Sequence, residues 1–290
     1  MQEKINEVIR SIQYLLPDIE VITQQVSKNN DVIKTGVMLK SKDNNIAPVF
    51  YIDDLIAQGW NADEIAVYIC KSYRQNDGED LQYVTALMTD YERISEMFIV
   101  QLINRKMNES VLMDIPYMPF LEDLAVIVLV NLEKNLQECA TIKVTNRMLE
   151  LWNVSFEEIY HKAYLNLTKE QAVVKSIAEI LNDMGCNDVD GLENIPMYIL
   201  TNETKVHGAT MILRESLLQD LARKFDSDLM ILPSSLHEVI IVPTRSLFSF
   251  SEREMNKMVQ EVNQTQVDDI DILSDHVYLY KEKSGWYNLN

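Results

Sequence analysis

Ile19-Glu20-Val21-Ile22-Thr23-Gln24-Gln25-Val26, Val32-Ile33-Lys34-Thr35-Gly36-Val37-Met38-Leu39 and Val49-Phe50-Tyr51-Ile52 are three stretches rich in β-branched residues. Between them lie Lys28-Asn29-Asn30-Asp31 and Lys42-Asp43-Asn44-Asn45, polar clusters whose Asn and Asp tolerate left-handed turn backbone. The alternation predicts an antiparallel meander. Upstream, Ile5, Val8, Ile9, Ile12, Leu15 and Leu16 recur at helical spacing until Pro17 stops the pattern. Downstream, Asn61-Ala62-Asp63-Glu64 has the spacing of a helix cap followed by its reciprocal Glu. Ile65, Ile69 and Tyr73 continue that helix at four-residue intervals.

Further along, an apolar stripe from Leu81 through Val84, Leu87, Met88, Tyr91, Ile94, Met97 and Phe98 to Leu102 predicts one long helix ending near Arg105-Lys106. Residues 111–116 and 125–130 read as strands. The longest apolar run, 124–130, is bounded by Glu122-Asp123 and Asn131. A membrane span needs about 20 apolar residues, so this run is expected to be a buried strand. From about Ala140 a second unit begins, with a strand at 142–145, a helix opened by Ser155-Phe156-Glu157-Glu158 and another at 172–184. Strands at 197–200, 229–232, 239–242 and 277–280 alternate with helices at about 207–224 and 252–264. Helices and strands come in blocks, which predicts an α+β fold of two mixed sheet-and-helix units, 1–137 and 138–290, the first beginning with the meander.

The chain has 290 residues, with 26 Lys and Arg against 45 Asp and Glu, a net charge of −19. That balance opposes direct binding to a nucleic-acid backbone, which needs a positive stripe to displace counterions. The acidity is spread evenly, with 21 acidic and 12 basic residues up to position 134 and 24 and 14 beyond it. Only 7 glycines occur, and the closest two, Gly185 and Gly191, are six apart. Neither a dinucleotide fingerprint nor a phosphate loop can be written from them. Cys70, Cys139 and Cys186 form no C-x-x-C pair, against both a disulfide framework and a zinc knuckle. No cofactor is expected. Met1-Gln2-Glu3-Lys4-Ile5 reads as the first turn of a helix rather than a signal peptide, so a cytoplasmic location without membrane attachment is expected.

Several segments carry candidate chemistry. In 186–197, Asp188, Asp190 and Gly191 match calcium-loop positions, but Cys186 and Met197 stand where a hard cation requires oxygen. The segment is expected to be an acidic loop after a helix capped by Gly185. Ser234, Ser235, His237 and Glu238 follow Pro233 between two predicted strands. Ser235, His237 and Glu238 are candidate catalytic residues, set against a proline-initiated turn whose hydroxyls bond local backbone. Asn202, His207 and Ser234 are ligand-binding candidates, and a cleft there requires the loops after 197–200 and 229–232 to converge. His207 precedes Gly208 at a helix start, His161 lies within a helix, and His276 follows Asp275 at the start of the last strand. Without H-x₃-H or H-E-x-x-H spacing, no metal site is expected. Tyr117, Met118 and Phe120, beside Pro116 and Pro119, form either a partner-binding loop or filling between two strands.

The chain also resembles an uncharacterised bacterial domain-of-unknown-function family, DUF5688, nearly end to end. The resemblance rests on Val26-Ser27-Lys28-Asn29-Asn30, Ile46-Ala47-Pro48-Val49-Phe50-Tyr51-Ile52 and Met113-Asp114-Ile115-Pro116 leading to Phe120-Leu121-Glu122-Asp123. In the second half it rests on Ile199-Leu200-Thr201-Asn202, His207-Gly208-Ala209, the stretch from Ile231 to Val239, and Val262-Asn263-Gln264-Thr265-Gln266-Val267. It implies no activity and carries over no catalytic residue. The composition leaves two readings. One is a non-enzymatic protein-binding regulator or inhibitor, whose partner could be a basic nucleic-acid-binding protein recognised by nucleic-acid mimicry. The other is a hydrolase-like enzyme or small-ligand binder with a polar cleft in the second unit.

Overall fold

The computed structural model describes residues 2–41, 49–75, 86–132, 141–183, 185, 196–233, 235–246 and 251–287. The fold is α+β, and the chain divides into two compact units, Met1–Ile94 and Ser95–Asn290.

In the first unit the meander forms; the second of its two expected turns, Lys42-Asp43-Asn44-Asn45, lies outside the described residues. Strands β1 (Glu20–Ser27), β2 (Ile33–Lys40) and β3 (Val49–Tyr51) pair antiparallel in sequence order, with Glu20 opposite Lys40 and Gly36 opposite Tyr51. In the first turn Asn30 and Asp31 adopt φ of 59° and 52°, the left-handed backbone that their short polar side chains tolerate. Helix α1 (Gln2–Leu15) presents Ile5, Val8 and Ile12 to the core. There they meet Val37 and Leu39 of β2 and Ile65, Ala66 and Ile69 of α3 (Ala62–Gln75). The cap of α3 closes reciprocally. Asn61 Oδ1 accepts the Glu64 N–H at 3.0 Å, and Glu64 Oε2 accepts the Asn61 N–H at 2.8 Å. Between β3 and α3, α2 (Asp53–Ala57) is tied to the sheet by Asp53, whose carboxylate accepts the Thr35 N–H at 2.5 Å and the Thr35 hydroxyl at 3.1 Å.

The apolar stripe predicted as one long helix is broken: its start, with Leu81 and Val84, lies outside the described residues, 86–89 is helical, and Asp90 interrupts it. Helix α4 (Tyr91–Ser95) is short, and Phe98–Asn104 is strand β4. Its sequence, FIVQLIN, is buried almost throughout, a pattern a strand covered on both faces satisfies as well as a helix does. Pairing with β6 (Leu124–Asn131), from Phe98 opposite Val130 to Asn104 opposite Leu124, decides between them. The strand expected at 111–116 is likewise corrected, since Glu109–Leu112 forms helix α5 and a turn follows. Strand β5 (Met118–Phe120) then pairs with β6 through a three-residue loop, 121–123. On β6, strand β7 (Thr141–Lys143) completes a four-stranded sheet, with Asn131 opposite Thr141. That pairing spans the division expected at 137/138, so the compact units part instead between Ile94 and Ser95.

Helices α6 (Asn146–Trp152) and α7 (Phe156–Lys169) follow, α7 opened by the Ser155–Glu158 capping box. The helix expected over 172–184 is corrected to strand β8 (Ala172–Ser176) and helix α8 (Ile177–Asp183). The Ser176 N–H and hydroxyl both bond to Glu179, starting the helix only there. A six-stranded antiparallel sheet runs β13-β12-β10-β11-β9-β8. Its strands are β8, β9 (Tyr198–Asn202), β10 (Leu229–Leu232), β11 (Val239–Pro243), β12 (Tyr278–Lys281) and β13 (Gly285–Tyr287). Helix α9 (Glu215–Phe225) precedes β10. Helix α10 (Glu252–Gln266) lays Met255 and Val259 against Met230, Leu232, Val242 and Val277 of the sheet side. Among the described residues no helix is long and apolar enough to cross a membrane.

Candidate functional site

The loop between β5 and β6 turns through Leu121, which takes φ of 51°, a left-handed backbone that a γ-branched side chain rarely adopts. Strain of this kind persists only where the surroundings over-determine it, and it gathers at working sites. Here it delivers Glu122 and Asp123 to the head of the buried strand β6. The Asp123 carbonyl accepts the Arg105 N–H at 2.6 Å, fixing the loop against the end of β4.

Asp123 is 3% exposed, and a buried carboxylate is tolerated only with its oxygens bonded. Three neutral donors do this: Asn104 Nδ2 to Oδ2 at 2.8 Å, Ser274 Oγ to Oδ2 at 3.0 Å, and the Tyr278 hydroxyl to Oδ1. Burial first, and the Asp123 charge second, push the Tyr278 phenol upward, so it stays a donor. Asn104 uses its whole amide. Nδ2 also donates to the Leu273 carbonyl at 3.1 Å, and Oδ1 accepts the N–H groups of Lys106 and Met107 at 3.0 and 3.1 Å. A ring of polar contacts thus joins the end of β4, the 121–123 loop and the segment entering β12.

His276 stands at the edge of this cluster. Its Nδ1 is 3.1 Å from Asp275 Oδ1 and 3.3 Å from Ser274 Oγ. Its Nε2 is buried 3.3 Å from Asp123 Oδ1 and 4.0 Å from Glu122 Oε2, ion pairs when the ring is protonated, and has no hydrogen-bond partner among the described residues. Asp, His and Ser therefore lie within contact distance of one another, but Ser274 is fully buried and its hydroxyl already donates to Asp123. The serine braces the carboxylate; it is not exposed for attack on a substrate.

Above the cluster opens a cleft of about 720 Å³, lined by Asn104, Glu122, Asp123, His276 and Tyr278 on one side. On the other, Glu252, Asn256, Gln260 and Asn263 of α10 recur at the spacing that puts them on one helix face. The size lies within the range of small-molecule sites. Nothing in the linear sequence joins Asp123 to Ser274 or Tyr278, which lie 151 and 155 residues away. The available signals were the Glu122-Asp123 pair abutting the buried run and the Ser274-Asp275-His276 cluster preceding the last strand.

The loops after β9 and β10 do converge. His207, held at φ of 53°, donates its N–H to His237 Nδ1 at 3.4 Å, and the two rings stack with centroids 6.0 Å apart. His237 Nε2 faces Asp271 Oδ1 at 3.4 Å. An imidazole protonated on Nε2 serves both contacts. The Asp271 hydrogen bond pulls the His237 ring upward from its ordinary pKa, while burial, aided by the neighbouring His237, pushes His207 down to about 4. Gly208 fits beneath, where a Cβ would lie 2.4 Å from the His237 carbonyl oxygen.

Ser235 Oγ accepts the His237 backbone N–H at 3.1 Å and is not bonded to the ring, while Glu238 contributes charge near His237. Asn202 donates to Glu170 Oε2 at 2.9 Å and to the Val206 carbonyl at 3.0 Å. With His207 it lines a smaller cavity of about 260 Å³. Ser234 lies outside the described residues, as does most of the 186–197 segment. Of the partner-binding candidates, Met118 and Phe120 are half-buried in β5, with Phe120 edge-on to Trp286 at 5.5 Å; Tyr117 is 37% exposed. Among the described residues no group of His, Cys, Asp and Glu side chains is placed to hold a metal ion.

Residues 1–282 match a family described as a family of unknown function, DUF5688. No curated protein and no solved structure matches the chain.

Proposed function

We propose, from the premise that this chain belongs to the DUF5688 family of unknown function, that its second unit binds a small polar molecule in the cleft over Asp123. The observation that carries this is a buried carboxylate bonded by three neutral donors and set in the wall of a cavity of about 720 Å³. A polar network of this kind, built from three separated segments, holds its groups in fixed positions. His276 lines the same cleft and holds Asp123, Glu122 and Asp275 within 4.0 Å of its ring nitrogens.

The test is thermal unfolding of the intact chain against sugars, amino acids, amines and nucleosides, repeated with Gln260→Leu. At least one class is expected to raise the unfolding temperature of the wild-type chain, and the effect should shrink in the variant. No shift with any class would sink the proposal. A second reading, a protein-binding regulator or inhibitor, draws support from Met113 and Tyr117, 77% and 37% exposed beside Arg105 and Lys106. In its nucleic-acid mimic form, a basic DNA- or RNA-handling partner would bind with strong salt dependence. Salt-insensitive capture of such a partner would count against it.

A further inference from the structure

We infer that the occupant of the Asp123 cleft is a small organic cation bearing N–H donors, a primary ammonium on a short aliphatic body. This rests on the small-molecule reading above and names its ligand class. Among the described residues four carboxylates, Glu122, Asp123, Glu252 and Asp275, line the cleft against the ammonium of Lys106 and the imidazole of His276. Acidic residues alone would describe a solvated surface. Two further observations point to a ligand.

The first is Asn263, which is 6% exposed and sits on the α10 wall. Its Nδ2 donates to the Ser274 carbonyl at 2.8 Å, and this fixes the amide, because the reversed orientation would set two acceptors against each other. Among the described residues no donor meets the buried Oδ1. A buried acceptor without a donor is unfavourable, and an N–H or O–H from a ligand would satisfy it. The second is Asp123, whose donors Asn104, Ser274 and Tyr278 are all neutral. They answer its lone pairs; the nearest group able to carry positive charge is His276, 3.3 Å from Oδ1, which Asp123 shares with Glu122 and Asp275. A phosphate or carboxylate ligand would add acceptors and negative charge where both are in excess. A neutral polyol would satisfy Asn263 and leave the charge. An ammonium supplies donors and charge together, and in a partly enclosed cleft that charge counts for more than in water.

Calorimetric titration of the intact chain can separate the two requirements. The probes are the four-carbon diamine putrescine, the diol of the same length, and the bis-trimethylammonium analogue, which keeps the charge and lacks N–H donors. Putrescine is expected to bind about tenfold or more tightly than either of the others. The triple variant Glu122→Gln, Glu252→Gln and Asp275→Asn is expected to lose about tenfold in putrescine affinity with its unfolding midpoint unchanged. Asn263→Leu is also expected to weaken binding; if that variant does not fold, the carboxylate variant decides. Equal binding of the diol, no binding of putrescine, or an unaffected triple variant would overturn the inference. Equal binding of the diol, or of putrescine by the triple variant, overturns the ligand class and leaves the small-molecule reading standing; if putrescine does not bind, that reading stands only if sugars, amino acids or nucleosides stabilise the chain.

Discussion

The second unit holds two clusters in which an imidazole faces an aspartate, and they are built in opposite ways. Around Asp123 the acid is the buried partner, 5% exposed at its side chain, while His276 stands beside it with an unbonded nitrogen and a cavity in front. Around His207 the imidazole is the half-buried, desolvated partner, and the acid that answers its neighbour His237 is Asp271, 29% exposed. In the first, donors converge on a carboxylate from three segments; in the second, backbone groups and a stacked ring pack two loops together. Each cluster leaves one ring nitrogen, His276 Nε2 or His207 Nδ1, without a hydrogen-bond partner among the described residues, and each borders a cavity, about 720 Å³ for the first and 260 Å³ for the second. What separates them is the excess of carboxylates at the first and the loop-to-loop bracing of the second.

That contrast can be broken in order of expected effect. Asp123→Ala should be the most damaging change, about 3–5 kcal/mol by chemical denaturation, because it leaves the buried donors of Asn104, Ser274 and Tyr278 facing nothing. A loss below about 1 kcal/mol would mean that the cluster is not integral to the fold.

Acid should act next, through the other cluster. His207 folds with a pKa of about 4 against an ordinary 6.5, so the unfolded chain binds the proton more readily. Its contribution is present above about pH 6.5 and is lost as pH falls toward 4, a decline of roughly 3 kcal/mol. His207→Asn keeps a residue that tolerates the left-handed backbone and should flatten that slope. His237 works in the opposite sense. Its raised pKa gives stability that is present below its ordinary value and lost as pH rises through the folded one. An unchanged acid slope in His207→Asn would refute the bracing role.

Gly208→Ala should cost about 1–3 kcal/mol, since the new Cβ would lie 2.1 Å from Thr201 Oγ1, 2.4 Å from the His237 oxygen and 2.9 Å from the Asn202 nitrogen. Two of these are backbone atoms that cannot turn aside. Asp271→Asn should cost least, about 0.5 kcal/mol, because both its carboxylate and the His237 ring are partly in water. Measured side by side, Asp123→Ala and Asp271→Asn test the contrast directly; comparable losses would erase it.

Local signals accounted for the parts of the fold that local physics controls. The meander strands, the Asn61 and Ser155 caps and the α1 stripe all form where short-range spacing places them. Phe98–Asn104 was misleading for a definite reason. Its residues are apolar at nearly every position, so period 2 and period 3.6 fit equally well, and only the pairing with β6 selects the strand. Ala172–Ser176 failed in the same way, a β-branched stretch running directly into a helix with no glycine or proline between them.

The candidate sites divide along the same line. His207 and His237 could be suspected from sequence because each sits in a polar segment at the end of a predicted strand, and antiparallel pairing of β9 with β11 brings those ends together. The Asp123 cluster could not, because its members come from β4, the β5–β6 loop and the approach to β12, more than 150 residues apart for Asp123 and Ser274. By itself the sequence determined an acidic α+β chain opening on an antiparallel meander, because turns, caps and periodicity are local interactions written in consecutive residues. The tertiary structure alone decided where the units part, that Asp123 is buried among neutral donors, and that Asn263 keeps an unanswered oxygen. Burial and hydrogen-bond partnership belong to residues brought together in space, and no spacing along the chain encodes them.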